Sequence, residues 1–334
     1  MKRVQIDGGG GSYFTNPKSN IEFISAGCLP LNLALGGGWA ERRVSNIVGD
    51  KSTGKTLLCI EATANFALKY KKGRIRYREA ESAFDQGYAK AIGMPIERID
   101  FGEPLETVED MFEDLQNVVE KSKGPELYIC DSLDALSDRG EMARDMDKGS
   151  YGAEKAKLLS QLFRRLIRKM ERKQVTCVIV SQVRDKIGVS FGRKTTRSGG
   201  KALDFYASQV AYLAHIGRLQ RTIKGMKRAT GIEVRAHMDK NKIALPFREA
   251  QFPVLFGYGV DDVTACLMYL KEAKLLKECG FVAEDITNSK LARELMSAPH
   301  DEAQKEIAYI HRRVQKHWYE VERKILPPRT KYGS

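Results

Sequence analysis

The chain has 334 residues, 42% of them hydrophobic and 30% charged, enough to bury one substantial core and carry a smaller second unit. No run approaches the roughly eighteen consecutive apolar residues that would suggest a membrane span. A formal charge of +13 points instead to a polyanionic partner, since clustered Lys and Arg gain free energy by releasing phosphate counterions. In chain order, Met1 to Asp7 run into four glycines without the apolar stretch of a secretory signal, so the expected location is cytoplasmic, or the host cytoplasm for a viral gene. Residues 8–20 are rich in Gly, Ser and Asn and read as a flexible lead-in.

From about Ile24 the pattern becomes strand–helix. Val44–Val48 predicts a short strand, then a glycine loop, then a helix from Lys55 to about Tyr70. Arg74–Tyr77 leads into Glu79-Ala80-Glu81. Glu106–Lys121 is a helix by the spacing of Val108, Phe112, Leu115 and Val119. Leu127–Cys130 is a buried-type strand ending at Asp131, Lys155–Arg172 an amphipathic helix, and Val175–Val180 an apolar strand ending at Ser181 and Gln182. Such runs belong to a parallel sheet covered on both faces, so the fold class is α/β with an open sheet. Residues 184–202 have no regular period; Val210–Ile216 and Ile232–Met238 resume strand-like runs. A composition shift after Gly257 gives three units: a lead-in over 1–23, a core over 24–258, and a small α-rich C-terminal unit over 259–334 with a basic tail. The six cysteines are widely spread, without zinc or dithiol spacing, and read as buried small hydrophobes.

Gly49-Asp50-Lys51-Ser52-Thr53-Gly54-Lys55-Thr56 matches the P-loop pattern at every fixed position. The glycines let the backbone wrap phosphates, Lys55 reaches the β and γ phosphates, and Thr56 coordinates Mg²⁺. The helix that follows adds its N-terminal field. These features predict binding of a nucleoside triphosphate and its hydrolysis. Asp131, at a strand end, is placed to hold the metal through water, or is an ordinary turn residue. Glu81 is the candidate for activating water, with Glu79 and Asp85 as competitors. Tyr88 is either an adenine-stacking ring or a core or surface aromatic. Gln182 either reads the γ-phosphate or caps its strand.

Two segments follow these strands, Ser137–Gly152 and Arg184–Lys201. The second combines glycines, basic groups and isolated Ile187 and Phe191. That suits a nucleic-acid-binding loop in which cations hold phosphates and apolar side chains wedge against bases, although a solvated surface loop has the same composition. Lys240-Asn241-Lys242-Ile243 is a surface charge pair or, in an oligomer, a source of lysines for a neighbour's phosphate site.

At this point the residues resemble the RecA recombinases, bacterial and phage-encoded, from Ile24 to roughly Val282. The most specific part is Lys186-Ile187-Gly188-Val189 with Phe191-Gly192, Gly199-Gly200 and Ala202–Ser208, joined by Lys240–Ala244 and Pro246-Phe247. The resemblance implies a RecA-like P-loop ATPase core with a mostly parallel twisted sheet and a small α-rich C-terminal domain. It implies an ATP- and Mg²⁺-using, DNA-dependent ATPase that forms a homo-oligomeric helical filament on single-stranded DNA and exchanges strands with homologous duplex. Single-stranded-DNA-binding or loader proteins are further expected partners. By the same resemblance Glu81 activates water, Tyr88 stacks on adenine, Asp131 serves the magnesium site, Gln182 is the allosteric glutamine, and Lys240 and Lys242 cross a subunit interface to ATP. Its DNA-binding positions fall on Tyr151, Lys157, Arg164, Arg184, Lys186, Ile187, Phe191, Arg193, Lys194, Arg197, Gly199 and Gly200.

The chain departs from the family at several points. Ser82 stands where a histidine is usual, Tyr151 where a methionine is, and Thr195 where a glutamate is, with Arg193, Lys194 and Arg197 nearby. Tighter, more salt-sensitive DNA binding is the expectation. The shortened, glycine-rich start and the absence of an acidic tail point to a phage-encoded or otherwise divergent member. In the C-terminal unit His311 and His317, with Arg312, Arg313, Lys316 and Trp318, form a helix that either touches duplex or docks through Val314, Trp318 and Val321. No cysteine or carboxylate spacing supports a metal at His300, His311 or His317. The competing functions are a RecA-fold helicase or repair ATPase, and a non-catalytic DNA-coating mediator.

Overall fold

The computed structural model describes residues 21–82, 84–142, 152–185, 195–197 and 200–328. The lead-in over 1–20 lies outside them. In chain order β1 (Phe23–Ile24), α1 (Leu29–Leu35) and β2 (Trp39–Ala40) precede β3 (Val44–Gly49) and α2 (Lys55–Lys69). Then come β4 (Arg74–Glu79), α3 (Gln86–Ala91), β5 (Ile99–Asp100), α4 (Val108–Lys121), β6 (Glu126–Asp131), α5 (Arg139–Met142), α6 (Gly152–Lys173) and β7 (Val175–Asp185). They are followed by β8 (Thr195–Arg197), α7 (Gly200–Tyr206), β9 (Gln209–Ile223), β10 (Met226–Asn241), β11 (Glu249–Leu255) and β12 (Gly259–Val260). The chain closes with α8 (Asp262–Glu272), α9 (Ala283–Ile286), α10 (Lys290–Ser297) and α11 (His300–Ile325).

The large sheet has the order β12-β11-β10-β9-β3-β7-β6-β4-β5, with β8 paired to β7. Pairing is parallel from β9 through β3, β7, β6 and β4 to β5. It turns antiparallel where β9, β10, β11 and β12 meet. Period-two alternation splits the apolar residues of the central strands between two cores. Ile47, Leu127, Ile129, Val178 and Val180 pack under α2 with Leu58, Ile60 and Phe66. Val44, Val48, Tyr128, Cys130, Cys177 and Ile179 pack on the opposite face against Met111, Leu115, Phe163 and Leu166 of α4 and α6. This three-layer α/β/α arrangement explains why β6 and β7 are apolar throughout. All six cysteines are buried in it or beside it.

Local chemistry sets the boundaries. Helix α4 starts at Val108, two residues later than the periodicity suggests, because Thr107 and Asp110 form a reciprocal capping box. In β4, Ile75 and Tyr77 enter the core while alternate arginines meet acids: Arg76 Nε reaches Glu126 at 2.8 Å and Arg78 Nε reaches Asp114 at 2.6 Å. The strands expected at Val210–Ile216 and Ile232–Met238 are two legs of one long hairpin, β9–β10. The turn between them is Lys224-Gly225, with φ of 48° and 78°. Two successive positive φ values match the right-handed twist of a two-residue hairpin.

The C-terminal helices share a core with α1: Leu29 and Leu33 pack with Leu267, Leu270, Ile310 and Val314. Strand β12, on the C-terminal side of the composition shift, pairs with β11 in the main sheet. Arg248, just before β11, grips Glu322 of α11 with two hydrogen bonds, one of them 3.1 Å from Nε to Oε1. Val314 is fully buried and Trp318 packs inward, as the docking alternative has it, whereas Val321 is 40% exposed and is no docking residue. The two helix histidines face α8: His311 Nε2 lies 2.6 Å from Asp262 and His317 Nδ1 lies 2.9 Å from the Tyr269 hydroxyl.

Candidate functional site

The carboxyl ends of β3, β4, β6 and β7 come out at one edge of a parallel sheet, where open α/β sheets form their ligand crevice. The P-loop leaves β3 at Gly49, where a Cβ would sit 2.5 Å from Thr53 Oγ1 and 3.0 Å from the Leu213 carbonyl, so only glycine fits. Thr53 Oγ1 and Lys55 Nζ both donate to the Asp50 carbonyl, at 2.9 and 2.7 Å, holding the loop as a compact ring. Burial lowers the Lys55 pKa, and the nearby Asp131, Glu81 and Asp50 oppose that shift. A cavity of about 340 Å³ is lined by Lys51 to Thr56, Glu81, Asp131 and Gln182.

Asp131 is buried, and burial raises its pKa. Hydrogen bonds from the Tyr77 hydroxyl (2.8 Å to Oδ2) and from Thr56 pull it back down. A carboxylate hydrogen-bonded to a threonine hydroxyl at the start of α2 is an all-oxygen donor set, which fits Mg²⁺ rather than a soft metal.

Glu81 is held at two points by one oxygen. Its Oε1 accepts from Ser132 Oγ at 2.5 Å and from Gln182 Nε2 at 2.8 Å. The competing acids have other duties. Glu79 accepts the backbone N–H groups of Glu81 (2.8 Å) and Ser82 (2.9 Å), while Asp85 caps α3 through the Tyr88 N–H. Gln182 is fixed in turn, because its N–H donates to Asp134 Oδ2 at 2.6 Å.

Tyr88 does not line the phosphate cavity. It packs half-buried against the α2-side core, where burial and Glu61 raise its pKa. Lys240 and Lys242 also stand outside the cavity: both donate to carbonyls at the end of α7, with Lys242 Nζ 3.0 Å from the Phe205 carbonyl.

Strand β7 continues past Gln182 to Asp185, and β8 folds back on it with Val183 opposite Arg197 and Asp185 opposite Thr195. Both ends of the segment 186–194 are therefore anchored within a few residues of the Glu81–Gln182 contact. Tyr151, Lys186, Ile187, Phe191, Arg193, Lys194 and Gly199 lie outside the described residues. Arg184 is in β7, Arg197 in β8, and Gly200 opens α7. Lys157 and Arg164 are exposed on α6.

Several residues that organise the site were not singled out from sequence. Tyr77 reads as one more core aromatic by alternation. Asp134 looks like a turn acid. Lys155 looks like a solvated helix residue, yet it is buried and its Nζ donates to the carbonyls of Leu133 (2.7 Å) and Leu136 (2.5 Å), fixing the start of α6 to the end of β6. Likewise, the sequence gives His311 no metal-type neighbours, but α8 brings Asp262 and Cys266 to it, with the three candidate ligand atoms within 4.8 Å of one another. Asp262 is occupied there, accepting the Leu29 N–H at 2.7 Å and lying 3.7 Å from the Cys266 thiol, so the cluster docks α11 and α1 onto α8.

Among the described residues, no helix is long and apolar enough to cross a membrane. A family model described as the RecA N-terminal domain matches residues 7–261. Protein RecA of Trichodesmium erythraeum (strain IMS101) is 36% identical over 264 residues, covering 79% of this chain and 71% of that protein. Protein RecA of Synechococcus sp. (strain CC9902) is 37% identical over 255 residues, covering 76% and 65% respectively. With its P-loop, its sheet order and a match across three quarters of its length, the chain belongs to the RecA family.

Proposed function

We propose that the protein is an ATP- and DNA-dependent recombinase, which assembles on single-stranded DNA and pairs it with homologous duplex. The observation that carries this reading is the bond between Glu81 and Gln182, because it joins the carboxylate over the phosphate cavity to the strand that runs on into the basic 186–199 segment.

In this reading the amides of residues 50–55 and Lys55 bind the triphosphate, and Thr56 and Asp131 would hold Mg²⁺, which when bound would neutralise charge on the phosphoryl oxygens. Glu81 orients the attacking water and takes its proton. Ser132 and Gln182 keep that carboxylate aimed until a γ-phosphate competes for the Gln182 amide. Movement of Gln182 then shifts β7 and the segment beyond it, which contacts DNA through Lys186, Arg193, Lys194 and Arg197, with Ile187 and Phe191 between bases. Occupancy of either site must alter affinity at the other by the same factor. Lys240 and Lys242, with the exposed Phe205 ring beneath Lys242 at 5.7 Å, form the face presented to a neighbouring subunit's ATP.

Electron microscopy of the full chain with ATP and single-stranded DNA, run beside a strand-exchange assay, tests the proposal. Helical filaments with exchanged product support it. Closed rings that translocate without exchange would establish the helicase reading, and coating without nucleotide turnover the mediator reading.

A further inference from the structure

The β9–β10 hairpin carries a feature that the nucleotide and loop chemistry does not use. Strand β11 pairs with β10 only from Gly231 to His237, and β3 pairs with β9 only up to Leu213. Beyond the Leu219–Gly231 pair the hairpin is a bare two-stranded arm, closed by Lys224-Gly225 and rising about 13 Å past the sheet. Residues 216–230 contain five basic and no acidic side chains: Arg218, Arg221, Lys224, Lys227 and Arg228. Among the described residues none of the five is paired with a carboxylate, and Arg228 reaches only the Met226 sulfur, at 4.0 Å.

Register makes the arrangement specific. Arg221 lies directly opposite Arg228, and Ile223 directly opposite Met226. With a period of two and no bulge between them, both pairs are on the same face. Like charges directly opposite each other destabilise a hairpin, and an apolar pair at a tip gains nothing by facing water. Ile223 and Met226 are nonetheless 49% and 55% exposed. A polyanion with a stackable, apolar interior relieves both at once. Duplex DNA is such a partner, because its minor groove accepts arginines beside an apolar wedge that unstacks a base step.

We propose that this arm is a minor-groove contact for duplex DNA. Arg221 and Arg228 enter the groove, Ile223 and Met226 wedge the base step, and Lys224 and Lys227 hold the flanking phosphates. The proposal deepens the recombinase reading by giving the incoming duplex its own site, separate from the segment that grips the single strand.

The test is fluorescence anisotropy of the full chain on an A·T-rich duplex and on a single strand of the same length, for wild type and for Arg221→Gln/Arg228→Gln. Because the double variant removes a like-charge pair, its melting temperature should hold or rise, so a binding loss cannot be assigned to unfolding. Duplex affinity is expected to fall about tenfold, and the salt slope by about 1.8, with single-strand affinity unchanged. A second variant, Ile223→Ser/Met226→Ser, should keep the salt slope but abolish the 2-aminopurine brightening that reports unstacking. Unchanged duplex affinity and slope, an equal loss on single strand, or brightening retained in the second variant would each overturn the proposal. Single-strand-stimulated ATP turnover, measured separately on wild type, distinguishes failure of the arm from failure of the recombinase reading.

Discussion

Removing one oxygen atom from the core tests the proposed metal site. The Tyr77 side chain is fully buried, its ring packed against Phe84 and Phe101 at centroid distances of 4.8 and 6.1 Å, and its hydroxyl donates to Asp131 Oδ2 at 2.8 Å. Tyr77→Phe leaves the packing and deletes the donor. A hydrogen bond to a charged group contributes about 1.5–3 kcal/mol, which in metal affinity is about ten- to hundredfold. The sign with pH follows from Asp131, whose pKa burial raises and whose Tyr77 bond counters that rise. In the metal-free protein its ionisation therefore costs nothing below the ordinary aspartate pKa. The penalty grows as pH climbs from the ordinary to the raised value and is constant above it. Losing Tyr77 raises that pKa further, so the chelated variant should be less stable than wild type at neutral pH, by a margin that shrinks on acidification. Mn²⁺ titration followed by electron paramagnetic resonance at saturating ATP, with circular dichroism as the fold control, reads the affinity. A folded variant whose half-saturation lies within about twofold of wild type would refute the reasoning.

The other predictions concern chemistry, core and docking. Glu81→Gln keeps the shape and hydrogen-bonding reach of the side chain but not the base, so nucleotide binding should persist while turnover falls about 10²- to 10⁴-fold in a phosphate-release assay. Phe163→Ala empties a fully buried position between α6 and the sheet and should cost about 3–5 kcal/mol in urea unfolding. Arg248→Ala leaves the 8%-exposed Glu322 side chain unpaired, at a cost of about 3–5 kcal/mol. That loss should appear as faster hydrogen exchange along α11 than along α2.

The sheet was legible because β6 and β7 must be apolar on both faces, and that leaves a near-continuous signal. The P-loop was legible because phosphate wrapping demands glycine at fixed offsets, and at Gly49 crowding by Thr53 and the Leu213 carbonyl adds a second reason for glycine. The long hairpin was not, because its outer half touches no third strand. Nothing there selects an apolar alternation, and Arg and Lys fill the positions that elsewhere announce a strand. Position alone leaves Glu79, Glu81 and Asp85 equivalent, since all three are acids at or shortly after the end of β4; the family resemblance singles out Glu81, and the structure adds only that Glu79 and Asp85 accept backbone N–H groups. Val321 differs from expectation because helical spacing places it on the docking stripe, whereas the buried position on that turn is Glu322, which pairs with Arg248. Asp262 and Cys266 lie 49 and 45 positions before His311, a separation over which sequence spacing carries no information about a cluster.

In the proposed function the Glu81–Gln182 contact transmits between phosphate chemistry and the segment proposed to bind DNA. Steady-state ATP hydrolysis, measured with and without single-stranded DNA for wild type and for Gln182→Ala, tests it most directly. Single-stranded DNA should stimulate wild-type hydrolysis, and Gln182→Ala should lose that stimulation while still binding ATP. Wild-type turnover indifferent to DNA, or a variant stimulated as strongly as wild type, would contradict it.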